Sequence, residues 1–116
     1  MPQAPLGDEK IVVVFQPHLY TRTRDFYREF AAALSHAEQV VVVEIYPARE
    51  LPIEGVTSQL IIDNVTSPVK RLTTKAELID TLKTLDFDIL LTVGAGDIDT
   101  YIPRIVESLE FRVQSL

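Results

Sequence analysis

Two arginines and a histidine crowd one short polar turn, Gln16-Pro17-His18-Leu19-Tyr20-Thr21-Arg22-Thr23-Arg24. Arg22 carries a rigid fork of donors that matches a carboxylate through two parallel hydrogen bonds, and His18 can add a further one. The chemistry these types suggest is capture of a small anion or an amino-acid carboxylate. The alternative is a surface turn in which His18 caps a carbonyl and Arg22 is solvated. Arg24 falls at the start of the helix expected next, where a cation opposes the helix dipole. It reads either as a functional demand or, more simply, as a solvated or ion-paired side chain. A second turn, Gly94-Ala95-Gly96-Asp97, could cradle a ligand group with backbone N–H donors. It lacks the third Gly of a dinucleotide fingerprint and the Lys of a phosphate loop, so a tight turn with Asp97 as helix cap is the stronger reading. Tyr20, Tyr27 and Tyr46 read as packing residues with wet hydroxyls. Glu44, Glu50 and Glu54 are not paired at a spacing that implies acid–base work. The only histidines, His18 and His36, lie far apart and cysteine is absent, so neither a metal site nor thiol chemistry is expected. The residues form no complete catalytic set.

The elements that must position these turns follow from hydrophobic patterning. Ile11-Val12-Val13-Val14-Phe15 is apolar without alternation, as in a strand buried on both faces of a parallel sheet. Pro17 ends it, since it cannot donate to a ladder. A helix is expected over about Arg24 to Ser35, with Thr23 as N-cap and Phe26, Phe30, Ala33 and Leu34 on its inner stripe. A second β-branched strand spans Gln39 to Ile45. An ordered loop, Ala48 to Gly55, leads to a short helix from Thr57 to Asn64 with Leu60 and Ile61 inward. Val69 to Leu72 alternates and carries Lys70 and Arg71, as an edge strand does. Thr74 and Glu77 fit a capping box ahead of a helix whose stripe is Leu78, Ile79, Leu82 and Leu85. Phe87 to Val93 is the fourth strand, and a last helix covers about Thr100 to Leu109, its regular part set late by Pro103. The tail from Glu110 either frays or adds an edge strand. The pattern βαβαβαβα predicts an α/β, Rossmann-like, doubly wound and mainly parallel sheet in the order 3-2-1-4, with helices on both faces. In that order the first and fourth strands are central neighbours, and their carboxyl ends form the crevice where such sheets bind ligands. Both unusual turns should meet there.

A chain of 116 residues fits one domain with one core. A net charge of −6 argues against a nucleic-acid partner. No apolar run approaches a membrane span, and the opening Met1 to Glu9 lacks a signal-peptide layout, so it reads as a flexible lead-in to a domain over residues 10–116. The absence of cysteine is compatible with the cytoplasm.

Three stretches together carry a resemblance. Phe15 to Asp25 resembles the signature that opens the C-terminal domain of the Mur ligases of peptidoglycan synthesis, in the family that joins L-alanine to UDP-N-acetylmuramate. Glu44 to Ser58, with Tyr46, Ala48, Glu50, Pro52, Gly55 and Ser58, looks like that family's Tyr-x-Ala-x-Glu-x-Pro-x-x-Gly-x-x-Ser loop, and Gly94 to Ile98 looks like its last signature. The resemblance implies a cytoplasmic ligase with three domains: one for the UDP-sugar, a central ATPase domain, and this one closing over the site. ATP and Mg²⁺ would serve formation of an acyl phosphate that the L-alanine amine attacks. It assigns His18 and Arg22 to L-alanine, with Arg22 toward the carboxylate, and gives Tyr20, Thr23, Arg24, Gly94, Gly96 and Asp97 supporting places. Leu19 stands where the family often has Arg. The phosphate loop, the metal-binding carboxylate and the His-rich hinge have no counterpart here, so the chain looks like a C-terminal domain that holds no catalytic residue, ATP or metal by itself. The alternatives are the corresponding domain of a sister Mur-type peptide ligase, or a stand-alone module for a small anion or amino acid.

Overall fold

The computed structural model describes residues 9–94, Ile98 and the backbone of 112–115. Five strands, β1 (Ile11–Gln16), β2 (Gln39–Val42), β3 (Val69–Leu72), β4 (Ile89–Gly94) and β5 (Arg112–Ser115), form one sheet in the order β3-β2-β1-β4-β5. Every pairing is parallel. The expected order 3-2-1-4 is therefore present, extended by a strand from the tail. The expected helix at Thr100 to Leu109, and the lead-in before Glu9, lie outside the described residues. The helices are α1 (Tyr20–Leu34), α2 (Gln59–Asn64) and α3 (Leu78–Lys83). No helix among the described residues is long and apolar enough to cross a membrane.

The unbroken apolar runs have the physical cause inferred from them. Val12, Val14, Val41 and Val43 point to one face, where they pack with Leu78 and Leu82 of α3, Leu90 and Ile98. The intervening Val13, Phe15, Val40 and Val42 point to the other, against Ala31 and Leu34 of α1 and Ile61, Ile62 and Val65 around α2. Strand side chains alternate between faces, so a central strand with helices on both sides must be apolar at every position. Each fully buried Val, Leu or Ile contributes about 1.5–3 kcal/mol of transfer free energy. β3 is an edge, as its Lys70 and Arg71 implied. Lys70 also works as a cap, its Nζ donating to the Ile62 and Val65 carbonyls at 3.1 and 2.8 Å, where α2 ends.

Several local expectations are corrected. α1 begins at Tyr20 rather than Arg24, so Thr23 is not its N-cap but an interior residue, buried with its hydroxyl donating to the Leu19 carbonyl at 2.9 Å. The inner face of α1 runs through Thr23, Tyr27, Phe30, Ala31 and Leu34. Phe26 and Ala33 lie outside it, and Phe26 is 43% exposed. The α2 helix starts at Gln59 and buries Ile61 and Ile62, with Leu60 only half-buried. α3 starts after the Thr74 turn: the Glu77 amide does donate to Thr74 Oγ1 at 3.2 Å, but the helix proper opens at Leu78. β2 pairs only to Val42 before leaving the ladder.

Candidate functional site

The carboxyl ends of β1 and β4 lie side by side, with Gln16 in register with Gly94. The chain winds from β1 toward β2 and β3 on one side, while β4 leads to β5 on the other, so this is the switch point of the sheet. Gly94 adopts φ +136°, and a Cβ there would stand 2.4 Å from the Gln16 carbonyl oxygen. Its role is close backbone approach. The Gln16 side chain is fully buried beside it, and its Oε1 accepts from the Ile98 amide at 2.9 Å. Gln16 thus ties the segment after β4 to the end of β1, a role its place in a polar turn did not reveal. Gly96 and Asp97 lie outside the described residues.

Beyond Gln16 the chain re-engages the β2 side. The Tyr46 amide donates to the Pro17 carbonyl at 2.8 Å, and the Leu19 amide donates to the Tyr46 carbonyl at 2.9 Å, making an isolated parallel bridge between His18 and Tyr46. The two rings stack, with centroids 5.8 Å apart and planes 17° from parallel. Tyr46, read from sequence as packing, is thus the aromatic support of His18. Leu19 then takes φ 74° and ψ 139°, a region sparsely populated by side-chain-bearing residues. It is held there by its amide bond to Tyr46 and by its carbonyl, which accepts from the Thr23 amide and hydroxyl at 3.2 and 2.9 Å.

As residue before the first helical turn, Leu19 has no side-chain acceptor for the free amides of α1. The acceptor comes from the loop after β2. Glu50 Oε1 accepts from the Tyr20 and Thr21 amides at 2.6 and 3.1 Å, and its Oε2 accepts from the Thr21 hydroxyl at 2.5 Å. A carboxylate at a helix N-terminus also satisfies the dipole. No local spacing signals this cap, because donor and acceptor are 30 residues apart. The Glu50 carboxyl is held below the usual range by the Thr21 hydroxyl first. Desolvation opposes this, and the Thr21 and Tyr20 amides and the nearby Arg24 charge add to the lowering. A lowered folded-state value means that its stabilisation is fully present above the ordinary glutamate value of about 4.3 and is lost as pH falls through the lowered one. NMR titration should therefore give a Glu50 midpoint below that value. The Tyr20 and Thr21 amide shifts should move with the same midpoint, and an ordinary midpoint would contradict the cap.

Arg22 stands in the first turn of α1 with its side chain exposed and its guanidinium 5.7 Å from the centroid of Phe26. Among the described residues no carboxylate lies within ion-pairing distance of it. Arg24 differs: its Nε and terminal nitrogen meet both oxygens of Asp25 at 2.9 and 3.3 Å, which raises Arg24 and lowers Asp25 from their ordinary pKa values. Tyr20 is half-buried and, besides meeting Glu50 through its amide, borders a cavity of about 110 Å³ with Glu44, Ile45, Thr57 and Ser58. The structure therefore gathers His18, Tyr46, Leu19, Tyr20, Arg22 and Glu50 at one edge. It places Thr23 in the packing beneath and leaves Arg24 to Asp25. The described residues contain no group of three His, Asp or Glu side chains able to hold a metal ion.

No protein-family model matches the chain. Individual relatives do. The chain is 54% identical over 99 residues to the UDP-N-acetylmuramate–L-alanine ligase of Phocaeicola vulgatus, covering 84% of this chain and 22% of the relative. It is 50% identical over 97 residues to that of Cytophaga hutchinsonii, with 84% and 21% covered. To that of Paenarthrobacter aurescens it is 51% identical over 105 residues, with 89% and 23% covered. The chain thus spans about a fifth of the length of the curated relatives it matches. With half of its positions identical along most of its length, on a Rossmann-like sheet, this chain is similar in sequence to a domain-sized part of the UDP-N-acetylmuramate–L-alanine ligases.

Proposed function

We propose that residues 10–116 form the amino-acid-binding C-terminal domain of an ATP-dependent ligase that joins L-alanine to UDP-N-acetylmuramate. Arg22 grips the alanine carboxylate and His18 makes a second contact. The observation that carries this reading is Arg22 itself. It is an exposed cation in the first turn of α1, the helix that follows β1, and no carboxylate among the described residues neutralises it. A cation there opposes the dipole, so its place is explained by an anion brought from outside. Tyr20, Thr23 and Gly94 support the two turns, and Gly96 and Asp97 keep the supporting places that the resemblance gives them, whereas Arg24 is paired with Asp25.

In this reading the remaining domains of the same polypeptide bind the UDP-sugar, ATP and Mg²⁺, and present the muramate carboxylate as an acyl phosphate. The part played by this chain is orientation. A planar fork holding the alanine carboxylate fixes the molecule by one end and leaves its amine free to face the acyl carbon. When the amine attacks, its nitrogen bonds that carbon, the bond to phosphate breaks, and the amine loses a proton as inorganic phosphate leaves.

The 116-residue chain alone is expected to release no phosphate from ATP in the presence of L-alanine and UDP-N-acetylmuramate. A phosphate-release assay that detects L-alanine-dependent turnover by this chain would overturn its assignment as a binding domain that depends on the others.

A further inference from the structure

We propose that Glu50 is a positioning residue for L-alanine, latching the loop after β2 onto the first turn of α1 so that His18 and Arg22 are presented as one rigid unit. The inference rests on the ligand role proposed above for those two residues. The turn and the loop meet at three places. The Tyr46 backbone bridges both sides of His18, from the Pro17 carbonyl to the Leu19 amide. The Tyr46 ring stacks on the His18 ring. Glu50 closes the far end through the Tyr20 and Thr21 amides and the Thr21 hydroxyl. The loop is itself held at both ends. The Glu50 amide donates to the Pro47 carbonyl at 2.9 Å across a turn in which Ala48 adopts φ 53°, and the buried Ser58 hydroxyl donates to the Val43 carbonyl at 2.6 Å.

The need for a latch follows from the backbone. Leu19, between His18 and the helix, occupies a sparsely populated conformation that persists only when its surroundings over-determine it. Arg22 is on the surface and gains no position from burial. The direction in which α1 leaves the turn decides where its fork points, and the Glu50 cap joins that first turn to the loop supporting His18. Glu50 also fills the Tyr20 and Thr21 amides, the ordinary place for an anion at a helix N-terminus, so a bound carboxylate is left to the Arg22 side chain.

The test uses the full-length ligase with Glu50→Ala, Glu50→Gln and Arg22→Ala in parallel, with KM measured separately for L-alanine and ATP. Glu50→Ala is expected to raise KM for L-alanine by about ten-fold or more, the scale of a misplaced binding group, and to leave KM for ATP within about two-fold. Glu50→Gln keeps an amide acceptor and can donate to the Thr21 hydroxyl, so it should recover most of the loss; if the alanine variant fails to fold, Thr21→Val, which removes only the hydroxyl bond to Glu50, should still raise KM for L-alanine by about three-fold, and an unchanged value overturns the latch. If Arg22→Ala raises KM for L-alanine while both Glu50 variants leave it unchanged, the latch is wrong and the ligand reading stands. Equal rises in both KM values for Glu50→Ala make Glu50 merely structural and overturn the proposal. If Arg22→Ala leaves KM for L-alanine unchanged, the ligand reading fails and the latch with it.

Discussion

Under the proposed L-alanine role, replacing Arg22 by alanine in the full-length protein should raise KM for L-alanine by about ten- to a hundred-fold, the equivalent of losing about 1.5–3 kcal/mol of charge-assisted hydrogen bonding. KM for ATP should stay close to its original value, because the fork is assigned to the carboxylate of alanine alone. Arg22→Lys keeps the charge but not the planar pair of donors, so it should fall between the two. Stability should hardly change. The side chain is exposed, carries no ion pair among the described residues, and opposes the dipole of α1, which keeps the expected effect within about 0.5 kcal/mol. The pairing of a large change in KM with an unchanged melting temperature separates a ligand contact from a folding contact. Equal rises in KM for alanine and ATP would show that Arg22 has been given the wrong role.

Gly94→Ala should cause the largest loss of stability. The new methyl would sit 2.4 Å from the Gln16 carbonyl oxygen and 3.2 Å from its nitrogen, backbone atoms of a central strand that cannot swing aside as a side chain can. The residue would also have to hold φ +136°. Overpacking and backbone strain together are expected to cost about 2–5 kcal/mol, which for a domain of this size lowers Tm by about 10 °C or more. Gly55 supplies the comparison. It has φ +81° with nothing within 4 Å of an added Cβ, so Gly55→Ala should cost only the strain of about 1–2 kcal/mol. Thermal melts of the two variants decide the matter: equal losses would mean that the approach of β4 to β1 does not constrain Gly94. The damage should reach the site as well, since the same displacement moves the buried Gln16, which holds the Ile98 amide.

Much of the architecture was legible in the chain because it follows from a periodicity. Val12 to Phe15 and Val40 to Val43 had to be buried on both faces, and the two packed faces of the sheet are the reason. Right-handed, short crossovers then left the order 3-2-1-4 and its switch point, with Gln16 beside Gly94. Lys70 and Arg71 marked an edge, and β3 is one. By sequence the tail from Glu110 either frays or adds an edge strand, since it lacks the apolar run of the central strands; the place of Arg112 to Ser115 beside β4 comes from pairing alone.

His18, Arg22 and the motifs that carry the family resemblance stand in the sequence itself, because residue type and spacing are local properties. How the turn is held is not local. Thr23 has the composition of an N-cap yet lies inside α1, and Glu50, 30 residues beyond Tyr20, serves the free amides of Tyr20 and Thr21 instead. Phe26 has helical spacing with Phe30 and Leu34 yet faces outward under Arg22, because the face that α1 buries is decided by the neighbours it packs on, Phe15 and the residues of α2. Tyr46 supports His18 only because β2 leaves its ladder at Val42 and returns to meet the turn. Patterning fixes which side chains must leave water. Which acceptor finds which donor, and which ring lies on which, is settled only when the loop after β2 folds back over the end of β1.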